Sequence, residues 1–298
     1  MGYGTLDLRF LFSAQNLGFN GKEICTLGHL TAYPSQRDLD NVLREYGKSS
    51  FKLPKNRALY FAEDLLEPLG FTVASLDASA YEGAEIIHDL NKPIPDNLVG
   101  RFDLVIDGGT LEHVFNFPAA LENAMKMVKV GGHLFLMTPA NNQCGHGFYQ
   151  FSPELFFRAL SPTNGFDLMR LYIRAPSEPP YHVADPVTVH GRVELLNSEG
   201  TLLMVHARKT ANVPFTVPQQ SDYLVDWQRP VEEMADGKFK SILRKRLSPD
   251  QIARISNVLN RLRVKRAAYQ WKRNSTLSNR ALYRPVTNWS MTSKEAFR

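Results

Sequence analysis

Short apolar segments that end at a glycine, an aspartate or a proline recur along this chain, and amphipathic segments separate them. Seven of these segments are predicted as β-strands: 22–28, 71–77, 85–90, 101–109, 133–139, 166–175 and 201–209. Buried strands that alternate with helices form a mostly parallel sheet with helices on both faces. The sequence therefore predicts an α/β fold with a doubly wound, mostly parallel, seven-stranded sheet.

The segments between the strands carry the caps and the periodicity of helices. Ser35 precedes a stretch whose apolar residues recur at helical spacing, so it is a predicted N-cap. Helices are also predicted over about 56–69, from Pro118 to the glycine pair 131–132, and over 152–160. Each predicted helix is long enough to cover part of one face of the sheet.

Charge is distributed unevenly along the 298 residues, although the net formal charge is only +5. Residues 231–298 contain 16 Lys and Arg against 5 Asp and Glu, so they carry +11 and residues 1–230 carry −6. These changes in charge and composition along the chain predict an α/β domain over 1–210, a proline-punctuated linker over 211–230 and a basic helical C-terminal extension over 231–298. A proline-rich insertion at 176–199 interrupts the last two strands and is expected beside the ligand edge.

The basic extension has two interpretations. Ile252, Ile255 and Leu259 follow a predicted cap at Ser248 and form an apolar face, which favours a helix docked on the α/β domain with a solvated basic side. Lysines and arginines near Trp271 are also suited to nucleic acid or to an anionic membrane surface. The docked helix is the favoured interpretation.

Composition excludes several classes of protein. Two cysteines, Cys25 and Cys144, are too few for a disulfide scaffold or a four-thiolate zinc site. No metal-ligand spacing is found among His88, His182, His190 and His206, and His206 lies within an apolar strand as a predicted core residue. No segment approaches the roughly 20 apolar residues of a membrane-spanning helix. The sequence therefore predicts a cytoplasmic protein with no metal site.

Polar residues and glycines follow the predicted strands. Ligands of an open parallel sheet bind beyond the carboxyl ends of its strands, where Gly28 follows the first strand and Asp77 the second. A carboxylate after the second strand is placed to accept hydrogen bonds from a ribose diol, whereas the alternative role of Asp77 is a local cap. Asp89 follows the third strand, where its alternatives are a local cap and a position near the base of a bound nucleoside.

These residues resemble the class I S-adenosylmethionine-dependent methyltransferases. FTVASLD resembles that family's second-strand motif, HDLN the third, and the segment from RFDLVIDGGTLEHV to VKVGGHLFLMTP the fourth and fifth. The resemblance covers roughly residues 20–210 and implies a Rossmann-like methyltransferase fold with S-adenosylmethionine as cofactor. The first motif departs from the family, because CTLGHLTAYPS contains only Gly28 and places His29 and Leu30 where glycines are expected.

The resemblance also implies site residues. The cofactor-binding residues would be Gly28, Asp77, Asp89, Leu90, Asp107, Gly108 and Gly109. On the acceptor side, the Leu-Glu-His turn resembles that of quinone-type methyltransferases, which implies His113 as a general base. The polar run NNQCGHGFYQ adds His146 and Tyr149 as catalytic candidates. Local capping by Glu112 and His113, and a simple turn for the polar run, remain the alternatives.

The implied function is transfer of a methyl group from S-adenosylmethionine to a small-molecule or glycan-type acceptor. A nicotinamide-dependent oxidoreductase is disfavoured because G-x-G-x-x-G is missing after the first strand. The alternative is a methyltransferase-like, non-catalytic binding module that binds nucleic acid through its basic tail.

Overall fold

A computed structural model of the protein describes residues 2–54, 59–80, 83–223, 272 and 274–298. The strands are β1 (Gly2–Tyr3), β2 (Glu23–Leu27), β3 (Thr31–Ala32), β4 (Tyr60–Phe61), β5 (Thr72–Asp77), β6 (Ile86–Ile87), β7 (Phe102–Asp107), β8 (Val128–Asn141), β9 (Phe166–Arg174), β10 (Tyr181–Val183), β11 (Thr201–Lys209) and β12 (Tyr283–Pro285). The α-helices are α1 (Thr5–Asn16), α2 (Gln36–Glu45), α3 (Ala62–Leu66), α4 (Phe117–Met127), α5 (Pro153–Ala159) and α6 (Ser293–Ala296). Short 3-10 helices cover Glu67–Leu69, Asp96–Leu98, Leu111–His113 and Pro162–Asn164.

Within the described residues the main sheet has nine strands, in the order β12-β10-β9-β11-β8-β7-β2-β5-β6. β6, β5, β2, β7 and β8 are mutually parallel, and β11 is antiparallel to both of its neighbours, β8 and β9. All seven predicted strands are present as β2, β5, β6, β7, β8, β9 and β11. The predicted count of seven is wrong, because β10 and β12 extend the β9 edge.

The two additional strands come from segments that were not predicted to join the sheet. β10 belongs to the 176–199 insertion and pairs antiparallel with β9, and β12 pairs antiparallel with β10. The backbone N–H of Ala184 also donates to the carbonyl of Leu282, and that of Leu171 donates to Oγ of Ser293. β12 therefore extends the main sheet, and the start of α6 is bonded to β9. The predicted helix after Ser248 lies outside the described residues.

Helices cover both faces of the sheet and divide the buried apolar residues into two cores. One core lies under α4 and α5, and the other lies under α1, α2 and α3. α1 was not predicted, and its buried side chains Leu8, Phe10, Leu11 and Phe12 fill the second core. β1, β3 and β4 form a separate three-stranded sheet, and α3 packs against β3 and β4.

The start of α2 agrees with the sequence prediction, whereas the end of α4 does not. Ser35 caps α2 as predicted, since its hydroxyl accepts from the backbone N–H of Asp38. The glycine pair does not end α4, which finishes at Met127; Gly131 and Gly132 lie inside β8 instead. Gly131 has φ +87°, so the strand bulges there, and pairing with β7 jumps from Val128 to His133.

A buried polar network joins the sheet to α1 and to the C-terminal segment. Arg170, fully buried in β9, donates to the carbonyls of Phe10 (3.2 Å) and Trp289 (2.8 Å) and to Nδ1 of His206 (2.8 Å). His206 also contacts His133, with 2.6 Å between the ring nitrogens, and burial lowers the pKa of both imidazoles. His206 is thus a buried sheet residue, as predicted.

Within the part of the chain that the structure describes, no helix has the length and apolar character needed to cross a membrane.

Candidate functional site

Three strand-final positions lie side by side at the carboxyl edge of the parallel strands. In the register of the sheet, Leu27 of β2 is paired with Leu76 of β5 and with Asp107 of β7. Gly28, Asp77 and Gly108 therefore emerge at the same edge on three adjacent strands. Strands are spaced about 4.8 Å apart, so Asp77 and Gly108 are separated by about 10 Å across β2. This is the edge at which an open α/β sheet binds its ligand.

Asp77 is half-buried, and its Oδ1 accepts a hydrogen bond from the backbone N–H of Ser79 at 3.1 Å. Asp89, two residues beyond β6, accepts from the backbone and side-chain nitrogens of Asn91, and these bonds lower its pKa. The side chain of Leu90 is buried in the core. Asp77 is therefore the acidic group of this edge that retains most of its capacity to accept hydrogen bonds from a ligand.

The turn after β2 is filled by protein side chains. Leu30 is buried, and a Cβ added to Gly108 would lie 2.7 Å from its Cδ1. Gly28 has φ +81°, and a Cβ there would lie 2.7 Å from Oγ1 of Thr110. His29 stacks on Phe61, with ring centroids 3.7 Å apart. Gly28 and Gly108 therefore leave room for the side chains of Thr110 and Leu30, which occupy the space next to them.

Asp107 ends β7 and orders the following turn. Its Oδ1 accepts from the backbone nitrogens of Gly109, Thr110 and Leu111 at 3.3, 2.8 and 3.3 Å. Burial raises the pKa of Asp107 to about 6 in spite of these bonds. Gly109 has φ +107°, a conformation that favours glycine. Asp107 therefore shapes the turn that carries the Leu-Glu-His residues.

Glu112, His113 and His146 come together at the end of β7. Nε2 of His146 lies 3.3 Å from Oε1 of Glu112, and Nε2 of His113 lies 3.9 Å from the same oxygen. The two imidazole rings are 5.1 Å apart. Glu112 is fully buried while the side chain of His113 is half exposed, so the cluster opens to solvent on its histidine side.

The carboxylate of Glu112 is the unusual member of this cluster. Among the described residues neither of its oxygens has a hydrogen-bond partner. Burial, with the nearby Asp107 as the second cause, raises the pKa of Glu112 to about 8. Burial also lowers the pKa of His113. Burial of a carboxyl group that makes no hydrogen bonds destabilises the fold, so such a group often serves a ligand or a reaction.

The polar run after β8 is a braced loop that carries His146 over Glu112. The backbone N–H of Phe148 donates to the carbonyl of Glu112 at 2.8 Å, and Gly147, with φ +74°, passes so close that a Cβ would lie 2.8 Å from that oxygen. Asn142 and Gln143 anchor the other end of the loop to the carbonyls of Asn197 and Thr201. The amide groups of this run therefore hold the loop in place.

Tyr149 differs in position from the two histidines. Its hydroxyl donates to the carbonyl of Phe115 at 2.7 Å, and its ring packs on Phe117 and Phe151. The structure therefore brings His113 and His146 together with Glu112, while the hydroxyl of Tyr149 is engaged by the backbone.

A cavity of about 350 Å³ lies at the same carboxyl edge, lined in part by Gly108, Met137 and the start of α1. It holds two residues of opposite charge, Asp7 and Arg174. Burial raises the pKa of Asp7 to about 6, and its Oδ2 accepts from the backbone N–H of Gly4 at 2.6 Å. Sequence reasoning missed this cavity, because no motif marks Asp7 and the pattern gave no helix over 5–16.

The structure was compared with solved structures. The 1,6-didemethyltoxoflavin-N1-methyltransferase of Burkholderia thailandensis, solved with 1,6-didemethyltoxoflavin and S-adenosylhomocysteine, is 13% identical with a TM-score of 0.38, over 70% of this chain and 79% of that one. The branched-chain polyamine synthase of Thermus thermophilus is 15% identical with a TM-score of 0.36, over 73% and 59%. TehB from Haemophilus influenzae is 14% identical with a TM-score of 0.35, over 66% and 61%. In the last two comparisons the matched region spans less than two thirds of the other chain.

No protein-family model and no curated protein matches this sequence. Any assignment of function therefore depends on the site itself.

Proposed function

We propose that this protein is an S-adenosylmethionine-dependent methyltransferase that acts on a small-molecule or glycan-type acceptor. The observation that carries the proposal is the alignment of Gly28, Asp77 and Gly108 on three adjacent parallel strands, with the Glu112, His113 and His146 cluster at the end of the third. This arrangement places the expected nucleoside position near side chains that can accept or donate a proton.

Asp77 is the proposed ribose-binding residue. Its carboxylate lies at the carboxyl edge and accepts one hydrogen bond from the described residues, so it can accept further bonds from a ribose diol. The residues present fit the nucleoside end of the cofactor on this ground. The methionine end of the cofactor would contact the turn after β2. This turn is not glycine-rich, and its Leu30 fills the space beside Gly108.

In methyl transfer the protein itself would bind the cofactor and the acceptor, orient the acceptor and accept its proton. S-adenosylmethionine, when bound, supplies a methyl group that its sulfonium has already activated. Catalysis then depends mainly on alignment of the acceptor. His113 and His146, on the solvent side of Glu112, offer imidazole nitrogens that can take the proton of an acceptor hydroxyl or ammonium.

Binding of S-adenosylhomocysteine, measured by calorimetry, tests the proposal. Asp77→Ala should weaken binding by about 10- to 150-fold, because hydrogen bonds to a charged group contribute roughly 1.5–3 kcal/mol. Asp96→Ala is the matched control, since Asp96 is exposed in a turn before the amino end of β7. His113→Ala and His146→Ala should leave this affinity nearly unchanged.

Two results would count against the proposal. If the wild-type protein did not bind S-adenosylhomocysteine, the non-catalytic binding module would replace the enzyme. If Asp77→Ala and Asp96→Ala bound it equally well, Asp77 would not contact the ribose.

A further inference from the structure

We propose that Glu112, His113 and His146 form a binding site for a divalent first-row transition-metal ion. No metal site was predicted from the sequence, in which His146 follows His113 by 33 positions. The fold removes that separation, since the loop after β8 lies directly on the turn after β7.

The geometry matches a three-residue metal site. One oxygen of Glu112 and one nitrogen from each histidine all lie within 4.8 Å of one another. Ligands about 2.0–2.2 Å from a cation are separated from each other by about 3.0–3.6 Å. The distance of 3.3 Å from Oε1 of Glu112 to His146 lies in this range. His113, at 3.9 Å from the same oxygen, must move closer for all three ligand atoms to contact one ion.

The burial of Glu112 is an independent sign that a ligand belongs here. Its carboxyl group is fully buried, and both of its oxygens lack a hydrogen-bond partner within the described ranges. Nε2 of His146 is also buried and has no hydrogen bond there. A cation between these atoms would satisfy the carboxylate and the imidazole together.

The donor set selects the class of metal. Two imidazoles and one carboxylate suit Zn²⁺ and neighbouring first-row ions, whereas Mg²⁺ and Ca²⁺ prefer oxygen ligands alone. Three protein ligands leave further coordination positions open, and His113 and His146 are partly exposed on that side. A bound ion would occupy the imidazole nitrogens that otherwise take the proton of the acceptor. In the methyltransferase proposed above, the open positions would then bind an oxygen of the acceptor and make its proton more acidic, and this part of the inference rests on the proposed function.

The cluster is fastened in a way that suits a metal site. Gly147 allows the loop to approach the backbone of Glu112, and Phe148 ties it there with a hydrogen bond. The imidazole of His146 is therefore held over the carboxylate by the backbone on its C-terminal side.

Titration of the full-length, chelator-treated protein with Zn²⁺ tests the site, and Co²⁺ absorption reports its geometry. We expect one ion per chain, with affinity weakened at least 10- to 100-fold by Glu112→Gln, His113→Ala or His146→Ala. His190→Asn is the matched control, because His190 is exposed and outside the cluster. Cys144→Ser is a second control, since the exposed Cys144 lies two residues from His146.

The outcomes separate this inference from the proposed function. Loss of Zn²⁺ binding in the three cluster variants but in neither control supports the site. Binding that disappears in Cys144→Ser, binding that survives all three cluster variants, or no binding by the wild type would overturn it. Titration of the metal-free protein with S-adenosylhomocysteine tests the methyltransferase separately, so either proposal can fail while the other holds.

Discussion

Leu30 packs directly against Gly108, although the two residues follow different strands of the sheet. A Cβ at residue 108 would lie 2.7 Å from Cδ1 of Leu30. Gly108→Ala should therefore lower the free energy of unfolding by about 1–3 kcal/mol through overpacking. Gly145→Ala is the matched control, because no atom of the described residues lies within 4 Å of its added Cβ, and it should change stability by less than about 0.5 kcal/mol.

A double-mutant cycle measured by urea unfolding sharpens this prediction. Leu30→Ala opens space in which the methyl group of Gly108→Ala can lie, so the double variant should be more stable than the sum of the single changes predicts, by about 0.5–3 kcal/mol. Strict additivity would show that the two residues do not share this space.

Arg170 should be among the largest single contributors to stability in this protein. Arg170→Leu leaves the carbonyls of Phe10 and Trp289 and a ring nitrogen of His206 without their charged donor. We expect a loss of more than about 3 kcal/mol in the free energy of unfolding. Arg208→Leu, on the neighbouring strand but exposed, should cost less than about 0.5 kcal/mol. Similar losses in the two variants would contradict the assigned role of Arg170.

Asp7 predicts a pH dependence of stability. Burial raises the pKa of its carboxyl from 3.8 to about 6, so the folded state holds this proton more tightly than the unfolded chain. Its contribution to stability is fully present below about pH 4 and is lost as the pH rises to about 6. Asp7→Asn cannot ionise and keeps an oxygen for the N–H of Gly4.

The variant should therefore become more stable relative to the wild type between about pH 4 and 6, by about 1–3 kcal/mol in total. Urea unfolding at a series of pH values measures the difference, and Asp96→Asn controls for the loss of one surface charge. A difference between Asp7→Asn and the wild type that stays constant with pH would refute the assignment.

Tyr283 tests the attachment of β12. Its ring is fully buried in the core, and its hydroxyl donates to the carbonyl of Glu194 at 3.0 Å. Tyr283→Ala should cost about 3–5 kcal/mol, whereas Tyr283→Phe removes only the hydrogen bond and should cost about 1 kcal/mol. Thermal unfolding of both variants measures the contrast; equal and small effects would mean that the C-terminal strand is not docked in solution.

The sequence allowed the parallel strands to be predicted because their signals are local. Apolar runs such as 71–77 and 101–109, each ended by a carboxylate or a glycine, mark β5 and β7 without any knowledge of the rest of the chain. The cap at Ser35 was correct for the same reason. The strand-final positions of Gly28 and Asp77 followed from the alternation of strands and helices.

The remaining features depend on contacts between distant segments. β10 and β12 have three residues each and gain their pairing from each other and from β9, so no local pattern marks them. The apolar residues of α1 lie close together without a clear helical face. Glu112 was considered only as a local cap, because its burial depends on His146 and on a loop some 30 residues away.

The placement of β12 has a consequence for the order in which the protein is made. β10 pairs with β9, which is made before it, and with β12, which is made about a hundred residues later. At roughly 5–20 residues per second, β10 therefore waits about 5–20 s on the ribosome for its partner. For that time the nascent sheet has an open edge that another chain can occupy, so synthesis rate and chaperone access should influence the yield of this protein.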